Sequence, residues 1–307
     1  MQDLMQNRFF SGIIEIWDDR RLVIWIKWPL QGERMKTLYV SDLDGTLLDR
    51  NAEVTKHTAD LLNRLIERGI LFTVATARSV ESTLHIVSGL RLNLPFVIYN
   101  GTMIIDPKTC MPVVRPCFFS GEQVRFAFEV FRQAGIYPLV YTYTGGRTRL
   151  RWVEGRENAG VQDFLLKRKG DPRFCPCKSY DELMTGDIFY FSFLDVPGGH
   201  DDVSRRFIDS GLYHVNVQKD TYADYIWLEV MCAEAGKAAA VLRIKELVGA
   251  DRIVCFGDNQ NDLSMFRVSD ACYAVSNAEE AIKAAACGVI GRADEDAVAR
   301  WLCDNWL

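Results

Sequence analysis

The sequence has no long uninterrupted apolar run, no excess of basic charge and no framework of paired cysteines. Its most apolar early stretch, Phe9 to Leu30, is broken by Glu15, Asp18, Asp19, Arg20, Arg21 and Lys27, so it cannot cross hydrocarbon cheaply. The basic start, apolar centre and small-residue cleavage site of a signal peptide are also missing. No membrane partner is expected, and the cytoplasm is the default location. Basic residues number 36 against 41 acidic ones, a net charge of -5, which gives no global electrostatic case for nucleic-acid binding. The nine cysteines are an odd number, scattered, and several sit in apolar runs such as Arg252-Ile253-Val254-Cys255-Phe256. They read as small buried thiols of a reducing compartment. Cys175-Pro176-Cys177 has no second cysteine pair or histidine cluster at zinc spacing.

What is present is the composition of an ordinary globular protein, 49% hydrophobic and 25% charged, which excludes disorder and collagen-like repeats. At roughly 150 residues per domain, 307 residues suggest two domains. From Met35 onward short apolar runs alternate with helical patterns. Thr37 to Val40, Leu71 to Ala75 and Phe96 to Tyr99 read as buried strands. Between the first two, Leu61, Leu62, Leu65 and Ile66 follow helical spacing and Gly69 supplies the stop. The alternation resumes with a helix over Ala238 to Val248 and strands at Ile253 to Phe256, Cys272 to Val275 and Gly288 to Ile290. Continuous apolar strands separated by helices imply a doubly wound parallel sheet, an α/β domain whose ligands sit beyond the carboxyl ends of its strands.

The middle, residues 118–231, differs. It holds helical stretches at Gly121 to Ala134 and Ala159 to Lys169 among aromatic-rich runs at Tyr137 to Tyr143, Ile188 to Leu194 and Ile226 to Val230. This predicts an α+β module with a one-faced antiparallel sheet, inserted so as to split the α/β core into residues 35–117 and 232–307.

Four polar clusters, and one weaker turn at Asn100-Gly101, punctuate the core segments. Asp42-Leu43-Asp44-Gly45-Thr46 puts two carboxylates two residues apart at a strand end, where a hard cation such as Mg2+ finds oxygen ligands; a turn with two solvated aspartates is the plainer alternative. Thr76-Ala77-Arg78 offers a hydroxyl, backbone amides and a guanidinium as an anion cradle, or an N-cap threonine with a surface arginine. Asn100-Gly101 by itself reads as a hairpin turn. Lys237, in the first turn of a helix, opposes the helix dipole and needs a carboxylate or phosphate nearby to explain it. Gly257-Asp258-Asn259-Gln260-Asn261-Asp262 is a dense set of oxygen donors, with Asp258 the natural partner of Asp42 for a shared cation; a capping turn before Leu263 is the alternative.

Together and in this order, the clusters resemble the four motifs of the haloacid dehalogenase superfamily of phosphohydrolases, matched by Asp42 to Thr46, Thr76, Lys237, and Gly257-Asp258 to Asp262. The long insert and Tyr99-Asn100-Gly101-Thr102 look like its Cof-like sugar-phosphate phosphatases, of the type IIB cap branch. The resemblance spans Met35 to Leu307. Ala77 and Ala238 stand where that family usually has glycine. The resemblance implies a Mg2+-dependent phosphatase acting on a small phosphorylated metabolite through an aspartyl-phosphate, with no obligate protein partner. Asp42 would be the nucleophile and Asp44 the acid/base. Mg2+ would be held by Asp42, Asp258 and the backbone of Asp44, and the phosphate by Thr76, Lys237, Asn261 and the backbone at Leu43 and Ala77. Asp262 and Arg78 would support them. The insert would be a cap that sets specificity, with Arg147, Arg149 and Arg151 either meeting a second anionic group or forming a solvated basic face. A phosphomutase and a non-catalytic phosphometabolite sensor remain the rival readings. Residues 1–34, with Trp17, Trp25 and Trp28, match nothing in such a core. An added hairpin, an interaction arm, or translated sequence upstream of an initiator at Met35 are the options, and the last is favoured here.

Overall fold

The computed structural model describes residues 35–195, 201–220 and 223–306, together with three short strands nearer the N-terminus. Those strands, β1 (Phe9–Phe10), β2 (Ile13–Ile16) and β3 (Ile24–Lys27), pair in order as a small antiparallel sheet. They belong to a unit of their own, Met1–Lys36. The rest of residues 1–34, and with it the choice among the three readings of that segment, lies outside the described residues. Among the described residues no helix is long and apolar enough to cross a membrane.

The second unit, Thr37–Leu307, begins with β4 (Thr37–Ser41), α1 (Lys56–Glu67), β5 (Leu71–Val74), α2 (Val80–Ile86), β6 (Phe96–Ile98) and β7 (Met103–Ile105). The insert follows: α3 (Gly121–Gln133), β8 (Leu139–Thr144), β9 (Arg147–Val153), α4 (Ala159–Lys167), β10 (Phe174–Cys177), α5 (Tyr180–Leu183), β11 (Asp187–Asp195), α6 (Asp201–Ser210), β12 (Tyr213–Lys219) and β13 (Ile226–Cys232). The chain then returns through α7 (Lys237–Val248), β14 (Arg252–Gly257), α8 (Leu263–Val268), β15 (Ala271–Val275), α9 (Glu280–Ala285), β16 (Gly288–Ile290) and α10 (Ala297–Asn305).

The core sheet runs β16-β15-β14-β4-β5, all parallel, and a parallel bridge from Ala75 to Val97 carries it on to β6. Successive residues Leu38, Tyr39 and Val40 are all buried. Because neighbouring side chains in a strand point to opposite faces, both faces of the sheet must be covered. One helical layer packs α1 on α10, and another packs α7 on α8 and α8 on α9. The Thr55 side chain caps α1 by accepting from the Thr58 amide, and burying Leu62, Leu65 and Ile66 stabilises it by about 2 kcal/mol per side chain. From β4 the chain winds one way to β5 and β6, whereas from β14 it winds the other way to β15 and β16. The carboxyl ends of β4 and β14 therefore flank the topological switch point, where such sheets bind ligands.

The insert is a six-stranded sheet, β10-β9-β8-β11-β13-β12, antiparallel except for β10 beside β9. Gly145 and Gly146, both at positive φ, make the two-residue turn of the β8–β9 hairpin. Along β11, Phe191 packs against Phe119, Phe128 and Phe131 on the helical side. Its neighbour Tyr190 packs against Tyr99 of the core and Tyr141. The second face of the sheet is thus turned toward the core. β9, β10, β12, α5 and α6 extend the pattern read from the sequence.

Candidate active site

Asp42 follows the last residue of β4, and its amide donates to the Phe256 carbonyl of β14 at 3.0 Å. The next residues curl tightly: the Leu43 carbonyl accepts from the amides of Thr46, Leu47 and Leu48 at 3.2, 2.9 and 3.0 Å. Leu43 itself is buried. Gly45 lies at φ 77°, and a Cβ there would stand 2.3 Å from Asp258 Oδ2. Only glycine allows both the turn and the approach of the two loops.

Lys237, the first residue of α7, is 1% exposed and donates to Asp42 Oδ1 at 2.6 Å and to Asp262 Oδ1 at 2.7 Å. These two carboxylates supply the reason for a lysine at a helix start. The other oxygen of Asp262 accepts the amides of Asp258 and Asn259 at 2.9 and 3.1 Å, so both its oxygens are engaged and it orients Lys237. Thr46 Oγ1 donates to Asp258 Oδ1 at 2.6 Å. Asp42, Asp258 and Asp262 are all buried, with one carboxylate oxygen of each within 4.8 Å of the others.

Burial pushes the Asp42 carboxyl up to about 7, with Lys237 pulling it down and Asp262 and Asp44 adding to the rise. Burial, then Asp42 and Asp262, hold Asp258 well above the usual carboxylate range. Burial works against the Lys237 ammonium, yet Asp262 and Asp42 outweigh it and raise its pKa. Three buried carboxylates meet one ammonium, a deficit of positive charge in a desolvated, all-oxygen pocket. That donor set fits Mg2+.

Asp44 is gripped by Arg78, Nε to Oδ2 at 2.7 Å and Nη2 to Oδ1 at 2.5 Å, while Arg78 Nη1 reaches Ser82 Oγ at 3.0 Å. Thr76 is buried; its hydroxyl accepts the Arg78 amide at 3.1 Å. It does not cap the following helix: Ser79 does, accepting from Ser82 N. Asp42, Asp44, Thr76, Ala77, Arg78 and Asn261 all line one cleft between core and insert. Lys237 stands behind Asp42, and the buried Leu43 does not line the cleft.

Arg147, Arg149 and Arg151 do not line it either. Arg149 donates to the Pro172 carbonyl at 3.0 Å and Arg151 to the Thr185 carbonyl at 2.7 Å; they serve the insert's own loops. The arginines of the cleft are Arg78, Arg168 and Arg173. Sequence reasoning also passed over Glu229, a buried carboxylate of β13. It accepts from Asn100 Nδ2 at 2.7 Å, Tyr190 Oη at 2.5 Å and Asn216 Nδ2 at 2.8 Å. Burial raises its pKa against the pull of those hydrogen bonds. The signal was present: one charge inside Ile226-Trp227-Leu228-Glu229-Val230-Met231-Cys232. Asn100, at φ 51°, accepts in turn from Asn261 Nδ2 at 3.0 Å.

A sequence profile of haloacid dehalogenase-like hydrolases matches residues 39–171 and 193–302. A 5-amino-6-(5-phospho-D-ribitylamino)uracil phosphatase of Bacillus subtilis is 23% identical over 284 residues, covering 85% of this chain and 95% of its own. A pyridoxal phosphate phosphatase of Escherichia coli is 25% identical over 289 residues, covering 87% and 97%. Among solved structures, a haloacid dehalogenase-like hydrolase from B. subtilis superposes with a TM-score of 0.72 at 20% identity, covering 89% of this chain and 100% of its own.

Proposed function

The chain belongs to the haloacid dehalogenase-like hydrolases and is a phosphatase of that family, and we propose that it hydrolyses small phosphate monoesters, Mg2+-dependently, through a phosphoryl group carried on Asp42. The observation that carries this reading is the Asp42 carboxylate at the switch point, held by Lys237 at 2.6 Å, beside Asp258 and in the lining of the shared cleft.

An Asp42 oxygen would attack phosphorus as the bond from phosphorus to the leaving alcohol breaks, dividing one hard displacement into two easier ones. Asp44 would give its proton to the leaving oxygen and then take one from the water that attacks the aspartyl-phosphate. The Arg78 fork must open, or turn, to release an Asp44 oxygen for that work. Thr76, Asn261 and the Ala77 amide would meet the phosphoryl oxygens, where charge spreads in the transition state, while Lys237, bonded to Asp42 at 2.6 Å, would orient the nucleophile and supply positive charge from behind it. Asp42, Asp258 and the Asp44 carbonyl would hold Mg2+, whose charge offsets the repulsion between carboxylate and phosphate. Residues 118–231 would act as the cap, since their side chains form one wall of the cleft; closing it excludes water and adds contacts to the leaving group.

The relatives' substrates, a phosphoribitylaminouracil and pyridoxal phosphate, are phosphate esters of small metabolites, and the same class is proposed here, sugar phosphates included. The test is a panel of phosphate esters assayed with Mg2+ and with EDTA. Hydrolysis of several esters, abolished by EDTA and restored by Mg2+, is expected. No release of phosphate from any ester with Mg2+ would overturn the reading.

A further inference from the structure

Four cations line the cleft: Arg78, Arg168, Arg173 and Lys219. Three of them are matched by acids. Arg78 forks Asp44. Arg173 binds both oxygens of Asp171 at 3.0 and 2.6 Å, reaches Glu81 at 3.4 Å and donates to Tyr99 Oη at 2.9 Å. Lys219 pairs with Asp224 at 3.1 Å. Arg168 has no ion pair among the described residues. Its Nη1 donates to the Phe164 carbonyl at 3.3 Å, and its guanidinium lies 4.0 Å from the centre of the Phe164 ring. Asp220, an acid whose charge reaches it, accepts from Trp227 Nε1 at 2.7 Å instead.

A guanidinium held over the face of a ring keeps most of its donors unused. Much of Arg168 is open to solvent; partial desolvation of its head group, then the charges of Arg78 and Arg173 against those of Tyr141 and Asp220, lower its pKa. An anion entering the cleft would offset the repulsion from Arg78 and Arg173. Arg168 also sits at the C-cap of α4, where any cation is favoured, but a cap needs neither the ring contact nor a place in the lining of the cleft that holds Asp42 and Asp44.

We propose that Arg168 binds a second anionic group, a carboxylate or second phosphate on the leaving alcohol, so that the preferred substrates are phosphate monoesters carrying an additional negative charge. The proposal rests on the phosphatase reading above and narrows its substrate class. A charge-assisted contact of this kind is worth roughly ten- to hundredfold in affinity.

The experiment compares kcat and KM with Mg2+ for matched pairs: 6-phosphogluconate against sorbitol 6-phosphate, and fructose 1,6-bisphosphate against fructose 6-phosphate. p-Nitrophenyl phosphate reports on the chemistry alone. The wild type should favour the more anionic member of at least one pair by about tenfold or more in kcat/KM, and which pair responds tells carboxylate from phosphate. Arg168→Gln should erase that preference through KM, and Arg168→Lys, which keeps the charge, should restore part of it. Absence of any preference in the wild type would overturn the proposal. So would an equal loss on all five esters, which would place Arg168 at the reacting phosphoryl, or no change on any, which would leave it a helix cap. If the wild type fails on p-nitrophenyl phosphate as well as on both pairs, the phosphatase reading itself has failed.

Discussion

Asn100 of the core and Glu229 of the insert meet, Nδ2 to Oε2 at 2.7 Å, both buried. An ionised carboxylate only accepts, so it fixes which end of the Asn100 amide faces it. The Asn100 oxygen is thereby left to accept from Asn261, a residue proposed to touch the phosphoryl group. The insert thus helps to orient a side chain on the far side of the site.

Glu229→Leu should remove the acceptor for Asn100, Tyr190 and Asn216 at once and cost about 3 kcal/mol, since unpaired buried donors are expensive. Glu229→Gln can offer its oxygen to Asn100 and its amide to the Tyr190 oxygen, and should cost about 1 kcal/mol or less. Urea unfolding of both variants checks this. An equal loss in the two would mean that charge, not hydrogen-bond acceptance, holds the network together.

Gly101 sits at φ 99°, and a Cβ there would come within 2.1 Å of the Gly236 backbone, next to Lys237. Gly101→Ala should lower stability by about 3 kcal/mol or more, combining left-handed strain with a backbone clash that no rotamer relieves. Thermal unfolding measures it; a shift within about 0.5 kcal/mol would show that the two loops are not in close contact.

Without metal, stability should also follow the protonation of Asp42. Burial raises its pKa from 3.8 to about 7, so the folded protein holds this proton more tightly than the unfolded chain does. The resulting stability is complete below about pH 4 and is lost as pH rises through about 7. In EDTA, the Tm of the wild type relative to Asp42→Asn should therefore fall across that interval and level off above it. A difference that is flat with pH would contradict the burial argument.

The parts of the site that follow core strands were legible in the sequence, because a parallel sheet buried on both faces delivers its loops to one edge. Asp42 and Asp258 could be read from their place after an apolar run, whereas Thr76 and Lys237, ambiguous singly, were read from the clusters taken together. The insert's contribution was hidden, because it depends on pairings far apart in the chain. Arg173 meets Tyr99 across 74 residues, and Glu229 meets Asn100 across 129. Arg147, Arg149 and Arg151, whose alternate spacing on β9 gives them one face in common, were open to either a second anion or a solvated face; they lie outside the cleft, with Arg149 on Pro172 and Arg151 on Thr185. The edge strand β10, Phe174-Cys175-Pro176-Cys177, had no strand pattern to read, since proline is tolerated only where a sheet ends or bulges.

The most direct test of the account is the rate at which Asp42→Asn hydrolyses p-nitrophenyl phosphate with Mg2+, measured beside the wild type. The substitution keeps the side chain's shape and removes its nucleophilic charge. A fall of about 10⁴-fold or more, with the folded state retained, is the expected result. Turnover within about tenfold of wild type, in protein shown by mass to be free of deamidation, would contradict a phosphoryl group carried on Asp42.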